Sequence, residues 1–390
     1  MQVKNLQHAI DTQGPQTGPG FQPHILVLLG AGHAHVHVLS QLAKEPLVGV
    51  QVVLVAPYPR QMYSGMIPGM VAGHYEVDEC VVPLPELVKR AGVRWLQASV
   101  TEFNADARMV RLDNGMELPF DWASINTGPV QDRETIEAAM PGARTHALFM
   151  RPIEGFAALW PRLATLGDER ALRIAVIGGG GGGVEMAMAL RQRLPHCAIT
   201  LVCGDHAPGV EYSLAVQTRI ARALKKRHIT ILQENATGFH DGEVLLGCGA
   251  RLACDVPIIA VGAHAPTWLR DSALALDAQG FVQVNAFQQS TNQPHVFAVG
   301  DVSTRTDRNL ARSGVYAVRS GPALMRNLAA AVRGQALVAH QPPQRTLNLL
   351  SCGDKTAIAS WGQWTMQGRW VWWWKDRIDR RFLARYRLTP

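Results

Sequence analysis

Six consecutive glycines, Gly178 to Gly183, stand between the apolar run Arg173–Ile177 and the stretch Val184-Glu-Met-Ala-Met-Ala-Leu190. Read as strand, turn and helix, they satisfy the spacing G-x-G-x-x-G at Gly178, Gly180 and Gly183. The chemistry this spacing allows is dinucleotide binding. Gly178 permits the tight reversal, Gly180 has no Cβ to block a pyrophosphate, and Gly183 lets helix and strand approach. The helix start, with Gly181 in its first turn, offers free N–H groups and a partial positive charge to phosphates. A flexible polyglycine linker is the alternative. Linkers, however, are not bracketed by a Val/Ile strand and a Met/Ala/Leu helix.

A second copy lies about 150 residues earlier, roughly one domain length. His24-Ile-Leu-Val-Leu-Leu29 runs into Gly30-Ala31-Gly32-His33-Ala34-His35, and a helix follows to about Leu42. Two such turns imply two nucleotides, or one large cofactor and one co-substrate. Both copies depart from the usual pattern. His35 stands where a third glycine is expected, and the strand Val50–Val55 ends at Ala56-Pro57 instead of the acid that binds a ribose 2′-OH. In the second unit the strand Ala198–Cys203 ends at Gly204-Asp205, with no Lys or Arg between Thr200 and Val210 to receive a 2′-phosphate. The donor favoured is therefore NADH over NADPH.

Other elements must position these turns. Asp121-Trp-Ala-Ser-Ile-Asn-Thr127-Gly128 and Asp255-Val-Pro-Ile-Ile-Ala-Val-Gly262 share one pattern: an acid, an apolar strand, a glycine turn. The second unit thus reads as a repeat of the first. Val296-Phe-Ala-Val-Gly300-Asp301 is a strand ending where ligands sit in open α/β sheets, so Asp301 can accept bonds from sugar-like hydroxyls. A simple turn aspartate is the blander reading. The long helix from Ser313 to Val332 starts at Gly314 and Val315, facing the same crevice. Tyr63-Ser-Gly-Met-Ile-Pro-Gly69 through Tyr75 reads equally as an active-site lining or a buried connector.

Bulk properties narrow the class. The chain has 390 residues, enough for two or three cores, and a net charge of +7, which suits an anionic partner. No apolar run reaches the length of about 18 residues needed to span a bilayer. Met1–Phe21 is polar and lacks the apolar core of a secretory signal, so residues 1–22 read as a disordered lead-in. The six cysteines are dispersed, without C-x-x-C or C-x4-C spacing, which argues against a disulfide framework and a zinc site and for a cytoplasmic compartment.

The C-terminal segment differs from the rest. Six of the ten tryptophans fall at 361, 364, 370, 372, 373 and 374, and residues 369–387 carry seven Lys/Arg against Asp376 and Asp379, a local net of +5. On a helix, Val371, Trp374, Ile378 and Phe382 form one stripe, with Lys375 and Arg380 off it. A basic helix edged with tryptophan is the pattern of an interfacial membrane helix, on the inner face of the cell membrane here. The alternative is an amphipathic helix packed on its own domain or on the twin subunit of a homodimer. No nucleic-acid module accompanies the basic patch, so a nucleic acid is not the expected partner.

The ordered set of motifs resembles the two-dinucleotide-binding-domain flavoproteins, or pyridine nucleotide-disulfide oxidoreductase superfamily, over roughly residues 24–335. That resemblance implies an α/β chain with two Rossmann-like domains. Residues 23–150 and 281–340 would form an FAD domain, 151–280 an inserted NAD(P)H domain, and 341–390 a C-terminal extension. FAD would lie on Gly30, Ala31, Gly32 and His33, beside Ala56, Thr127 and Gly128. Gly300, Asp301, Gly314 and Val315 would complete its site. NAD(P)H would lie on Gly178, Gly180, Gly181, Gly183 and Gly262, with Glu185 near the meeting point of nicotinamide and flavin and the best candidate proton carrier.

Among branches, the disulfide reductases carry a C-x4-C that is missing here. Sulfide:quinone reductases need paired cysteines, and Cys352 has no mate near residue 160. The chain looks most like the type II NADH:quinone oxidoreductases, which need no cysteine and sit on membranes through a C-terminal amphipathic helix. It resembles more closely still a group of flavoproteins often found fused to selenide, water dikinase. With these it shares Gly-His-Ala-His, Tyr-Ser-Gly-Met-x-Pro-Gly and Trp-Lys-Asp-x-Ile-Asp-Arg. The implied activity is hydride transfer from NAD(P)H to FAD, then electron transfer to a quinone or other small-molecule acceptor. Two other classes stay open: a soluble reductase of a selenium or sulfur compound or a protein partner, and a non-catalytic sensor or scaffold with vestigial nucleotide sites.

Overall fold

A computed structural model describes residues 23–387, so the expected lead-in at 1–22 lies outside the described residues. Two five-stranded parallel sheets dominate. The first has the order Val296–Ala298, Trp122–Ile125, His24–Leu29, Val50–Val55, Arg94–Leu96. The second has the order Leu148–Phe149, Val256–Ile259, Arg173–Ile177, Ala198–Val202, Thr230–Leu232. Parallel strands covered on both faces need continuous apolar runs rather than alternation. Leu26, Val27, Leu28 and Leu29, all completely buried, show why the sequence reads that way.

The expected repeat is present in detail. Each unit places a three-stranded antiparallel meander just before its Asp-headed strand, at residues 100–119 and 236–253. The repeated acid has a structural use. Asp121 Oδ2 accepts from Ile25 N at 2.7 Å, and Asp255 Oδ2 accepts from Arg173 N at 2.8 Å. Each carboxylate thus satisfies the first free N–H of its central strand, a group that would otherwise lack a partner.

The two units divide differently from the expected boundaries at 150 and 281. Leu148–Phe149 pairs with the second sheet, and Ile136, Met140 and Ala143 are buried with Phe149 against Ile177 and Ile259. On the return, Leu269 and Leu274 pack with Val282 and Val296 of the first unit. The chain crosses at the glycine turns Gly128 and Gly262, and the apolar residues that follow each turn decide which unit they join.

The C-terminal segment folds as an antiparallel sheet, Leu347–Ser351, Ala357–Trp361 and Trp364–Gly368, followed by the helix Arg369–Tyr386. Here the expected stripe is corrected. The inward face is Val371, Lys375, Asp379, Phe382, Leu383 and Tyr386, whereas Trp374 and Ile378 are 40% and 41% exposed. The apolar stripe did not set the rotation because polar partners did. The 63–75 segment offers a carbonyl and two phenols to Lys375, Asp379 and Asp376, and that pairing turns two charged positions inward.

Candidate active site

The first glycine turn sits at the carboxyl ends of the first sheet. Gly30 has φ +84°, and a Cβ there would meet Thr127 Cα at 2.6 Å. A Cβ on Gly32 would run into Asn126. Asn126 is buried and ties the turn together: its Oδ1 accepts from Ala34 N at 3.1 Å and His35 N at 3.2 Å, and its Nδ2 donates to Val299 O at 2.9 Å. The imidazole that replaces the third glycine is also accounted for. His35 is fully buried, with Nδ1 2.6 Å from Gly30 O and Nε2 2.8 Å from Ser124 Oγ. Burial lowers its pKa to about 4, so it is a neutral cross-brace between turn and sheet.

A cavity of about 530 Å³ runs along this edge. It is lined by Gly30, Ala31, Gly32, His33, Ala56, Thr127, Gly128, Asp301 and Gly314, all named from the sequence. Gly300 and Val315, also named, are not among its lining residues. Gly300 instead makes room for Asn126: a Cβ there would meet Asn126 Nδ2 at 2.9 Å.

Sequence reasoning missed several charged residues of the lining, among them Arg60, Arg133, Arg151 and Glu154. No motif announces them, because the start of the helix Ile153–Glu169 brings Arg151 and Glu154 in from the second unit. Burial raises the Asp301 carboxyl above its ordinary range, against the pull of Arg151 and Arg312. Burial likewise raises Glu154. His33 Nε2 is buried without a hydrogen-bond partner, and burial with Arg151 nearby lowers its pKa to about 4. An orphaned ring nitrogen, opposed charges and a turn cleared of Cβ atoms suit a large polar ligand with a phosphate bridge. The volume is that of a cofactor pocket.

The second turn separates into packing and approach. Gly178 has φ +131°, and its Cβ would meet the Ala260 carbonyl carbon at 2.9 Å. A Cβ on Gly183 would overlap the Gly178 carbonyl oxygen. Gly180 faces open space apart from Glu211 Oε1, 3.6 Å from its imagined Cβ. Gly181 N donates to that same oxygen at 2.6 Å. Gly262 has φ +75° and closes against His264.

Glu185 lies one turn into the second helix, and its Oε1 accepts from Ser351 N at 2.7 Å. Burial raises its pKa to about 7, opposed by Lys375 and aided by Asp379. Lys375 Nζ donates to Gly65 O at 2.5 Å and to Asp379 Oδ2 at 2.6 Å. Tyr63 OH donates to Asp379 Oδ1 at 3.1 Å, and Tyr75 OH donates to Asp376 Oδ1 at 2.7 Å. The 63–75 segment is a single 3-10 turn and the short helix Ile67–Val71, mostly buried. It combines both readings: a buried connector whose Ser64, with neighbouring Met62, lines the cavity. Tyr63 stacks on Phe382 at 4.5 Å between ring centroids, and its edge meets His33 at 5.4 Å. The C-terminal helix therefore closes the back of the site. Cys352 is buried and burial lifts its thiol to about 11, so it is no ready thiolate.

Comparison with known proteins gives the family and the fold. The pyridine nucleotide-disulphide oxidoreductase family model covers residues 24–327. A demethylphylloquinone reductase of Synechocystis sp. is 28% identical over 290 residues, 71% of each chain. The ferredoxin–NAD(+) reductase component of a p-cumate 2,3-dioxygenase system from Pseudomonas putida is 26% identical, over 84% of this chain and 81% of its own. In fold, the chain is similar to the sulfide:quinone oxidoreductase of Aquifex aeolicus, with TM-score 0.76, 16% identity and coverage of 94% and 92%. It is similar also to NDH2 of Plasmodium falciparum solved with NADH, with TM-score 0.73, 12% identity and coverage of 94% and 98%. The chain belongs to the pyridine nucleotide-disulphide oxidoreductase family and is an FAD-dependent oxidoreductase of NAD(P)H.

Proposed function

We propose that this protein oxidises NADH at the second glycine turn and reduces a quinone drawn from a membrane surface. FAD, held by the first turn, His33 and Asp301, supplies the redox chemistry when bound. The chain's own work is placement and charge. The start of the helix Gly314–Val332 puts a positive dipole end at the cavity, beside Ser64. Glu185 holds or releases a proton near neutral pH, as its raised pKa allows.

One observation carries the acceptor. The C-terminal helix touches the cofactor-side segment with its inner face and turns tryptophan outward. Trp361, Trp364, Trp370 and Trp373 are each more than half exposed, and Met366, Trp374 and Ile378 are exposed as well. Exposed Arg377 and Arg381 stand among them. Monomeric surfaces seldom leave so much aromatic area in water without a partner. Tryptophan with arginine suits the headgroup region of an anionic bilayer, where a lipid-borne quinone is at hand. The name of the Synechocystis relative, a demethylphylloquinone reductase, agrees with that substrate class.

The test is stopped-flow absorbance at the flavin band. The protein is mixed with NADH, then with a short-chain quinone. Rapid bleaching followed by recovery on quinone is the expected result. Bleaching without recovery would reject the quinone and direct attention to a carrier protein of the ferredoxin type, as the Pseudomonas relative's name suggests.

A further inference from the structure

The loop at residues 203–213 lies directly on the second glycine turn. Gly209 N donates to Gly179 O at 2.7 Å, and Glu211 Oε1 accepts from Gly181 N at 2.6 Å. A Cβ on Gly181 would meet Tyr212 Oη at 2.7 Å. Gly181 begins the helix Gly181–Arg193, whose N-terminus at Gly180 has no side-chain cap of its own. The Glu211 carboxylate supplies there what a phosphate supplies in a dinucleotide complex: an acceptor and a negative charge at the positive end of a helix. It also bounds the open side of Gly180, the side a pyrophosphate needs. Carboxylate and phosphate cannot take the same N–H, and like charges repel at such range.

We propose that Glu211 is an internal anion that occupies the phosphate place of the dinucleotide and must be displaced before NAD(P)H binds. The proposal rests on the reading of the second turn as the donor site and goes beyond it. Glu211 then sets donor affinity without belonging to the bound complex. Apparent affinity falls in proportion to the fraction of protein with the place vacant, so a closed form favoured about ten to one weakens binding about tenfold. The same loop fixes the order of events, because release of Glu211 precedes entry of the donor.

The experiment uses full-length, flavin-loaded protein. NAD+ is titrated by calorimetry into wild type, Glu211→Gln and Glu211→Ala. The flavin spectrum and thermal unfolding of each report correct folding. Both variants are expected to bind about tenfold more tightly than wild type. With NADH, the bleaching rate of wild type should level off at a loop-release limit that both variants exceed. Weaker binding by the variants would make Glu211 a ligand and overturn the proposal. Equal binding would make the contact inconsequential and overturn it too. Failure of all three proteins to bind NAD+ would overturn the donor-site reading together with the proposal. Gly180→Val, which blocks only the approach, checks that reading separately: it should abolish NAD+ binding with Glu211 in place.

Discussion

Glu185 and the two histidines of the first turn carry opposite pH signatures. A glutamate whose folded pKa is about 7 binds a proton that the unfolded chain, near 4.5, has already lost. Its contribution to stability therefore falls as pH rises from 4.5 to 7. Two and a half pKa units correspond to about 3 kcal/mol. His33 and His35, held near 4 against an unfolded 6.5, act in reverse, and stability falls as pH drops through that window. Glu185→Gln should flatten only the first slope. Unfolding midpoints of both proteins between pH 5 and pH 8 check this (about 3 kcal/mol between them at the upper end). The variant should also lose a turnover limb near pH 7. Glu185 was legible as a candidate because it is the one acid in the glycine-turn helix. Its raised pKa was not, since burial raises it, and that burial exists only once the chain is folded and residues such as Ser351 are packed on the carboxyl. Asn126 was visible only as part of a motif, and its triple bonding needs the start of the helix His33–Leu42 and the end of the strand Val296–Ala298 brought to it.

At the scale of elements, the C-terminal helix is decisive. Lys375 and Asp379 form a pair with side chains only 10% and 6% exposed, four residues apart on the inner face. Removing one partner of a buried pair leaves an uncompensated charge and costs about 3–5 kcal/mol. Asp379→Asn should therefore destabilise strongly and loosen the segment that Lys375 holds through Gly65 O. The double change Lys375→Met with Asp379→Leu should recover most of the loss. Thermal unfolding and flavin retention of wild type and the two variants measure it, and no recovery would mean that the pair acts through more than charge. Periodicity found this helix but misjudged its rotation. An apolar stripe is a fair guide where the neighbour is apolar; here the neighbour offers a carbonyl and phenols. The sheets were legible for the converse reason: parallel strands buried on both faces leave unbroken apolar runs between glycine turns.

For the whole molecule, the outward tryptophans and arginines predict selective binding to anionic vesicles. Each cation near such a surface contributes about 1 kcal/mol. Replacing Arg377 and Arg381 together by alanine should weaken binding about thirtyfold, and raised salt should do likewise. Trp373→Ala with Trp374→Ala should weaken it on neutral vesicles as well. Co-sedimentation with phosphatidylserine-containing and phosphatidylcholine vesicles checks both, and binding indifferent to charge would contradict the docking surface. No helix among the described residues is long and apolar enough to cross a membrane.

The two faces of the last helix also decide how the protein can be handled. A natural way to obtain a well-behaved sample is to cut off the tryptophan-rich tail. That cut would remove Lys375, Asp379 and Phe382 as well, opening the wall behind His33 and Tyr63. Truncation would thus return an inactive or flavin-poor product for reasons unrelated to lipid. Polar replacements at Trp361, Trp364, Trp370 and Trp373 keep the inner wall intact and are the sounder route to a sample for crystallisation.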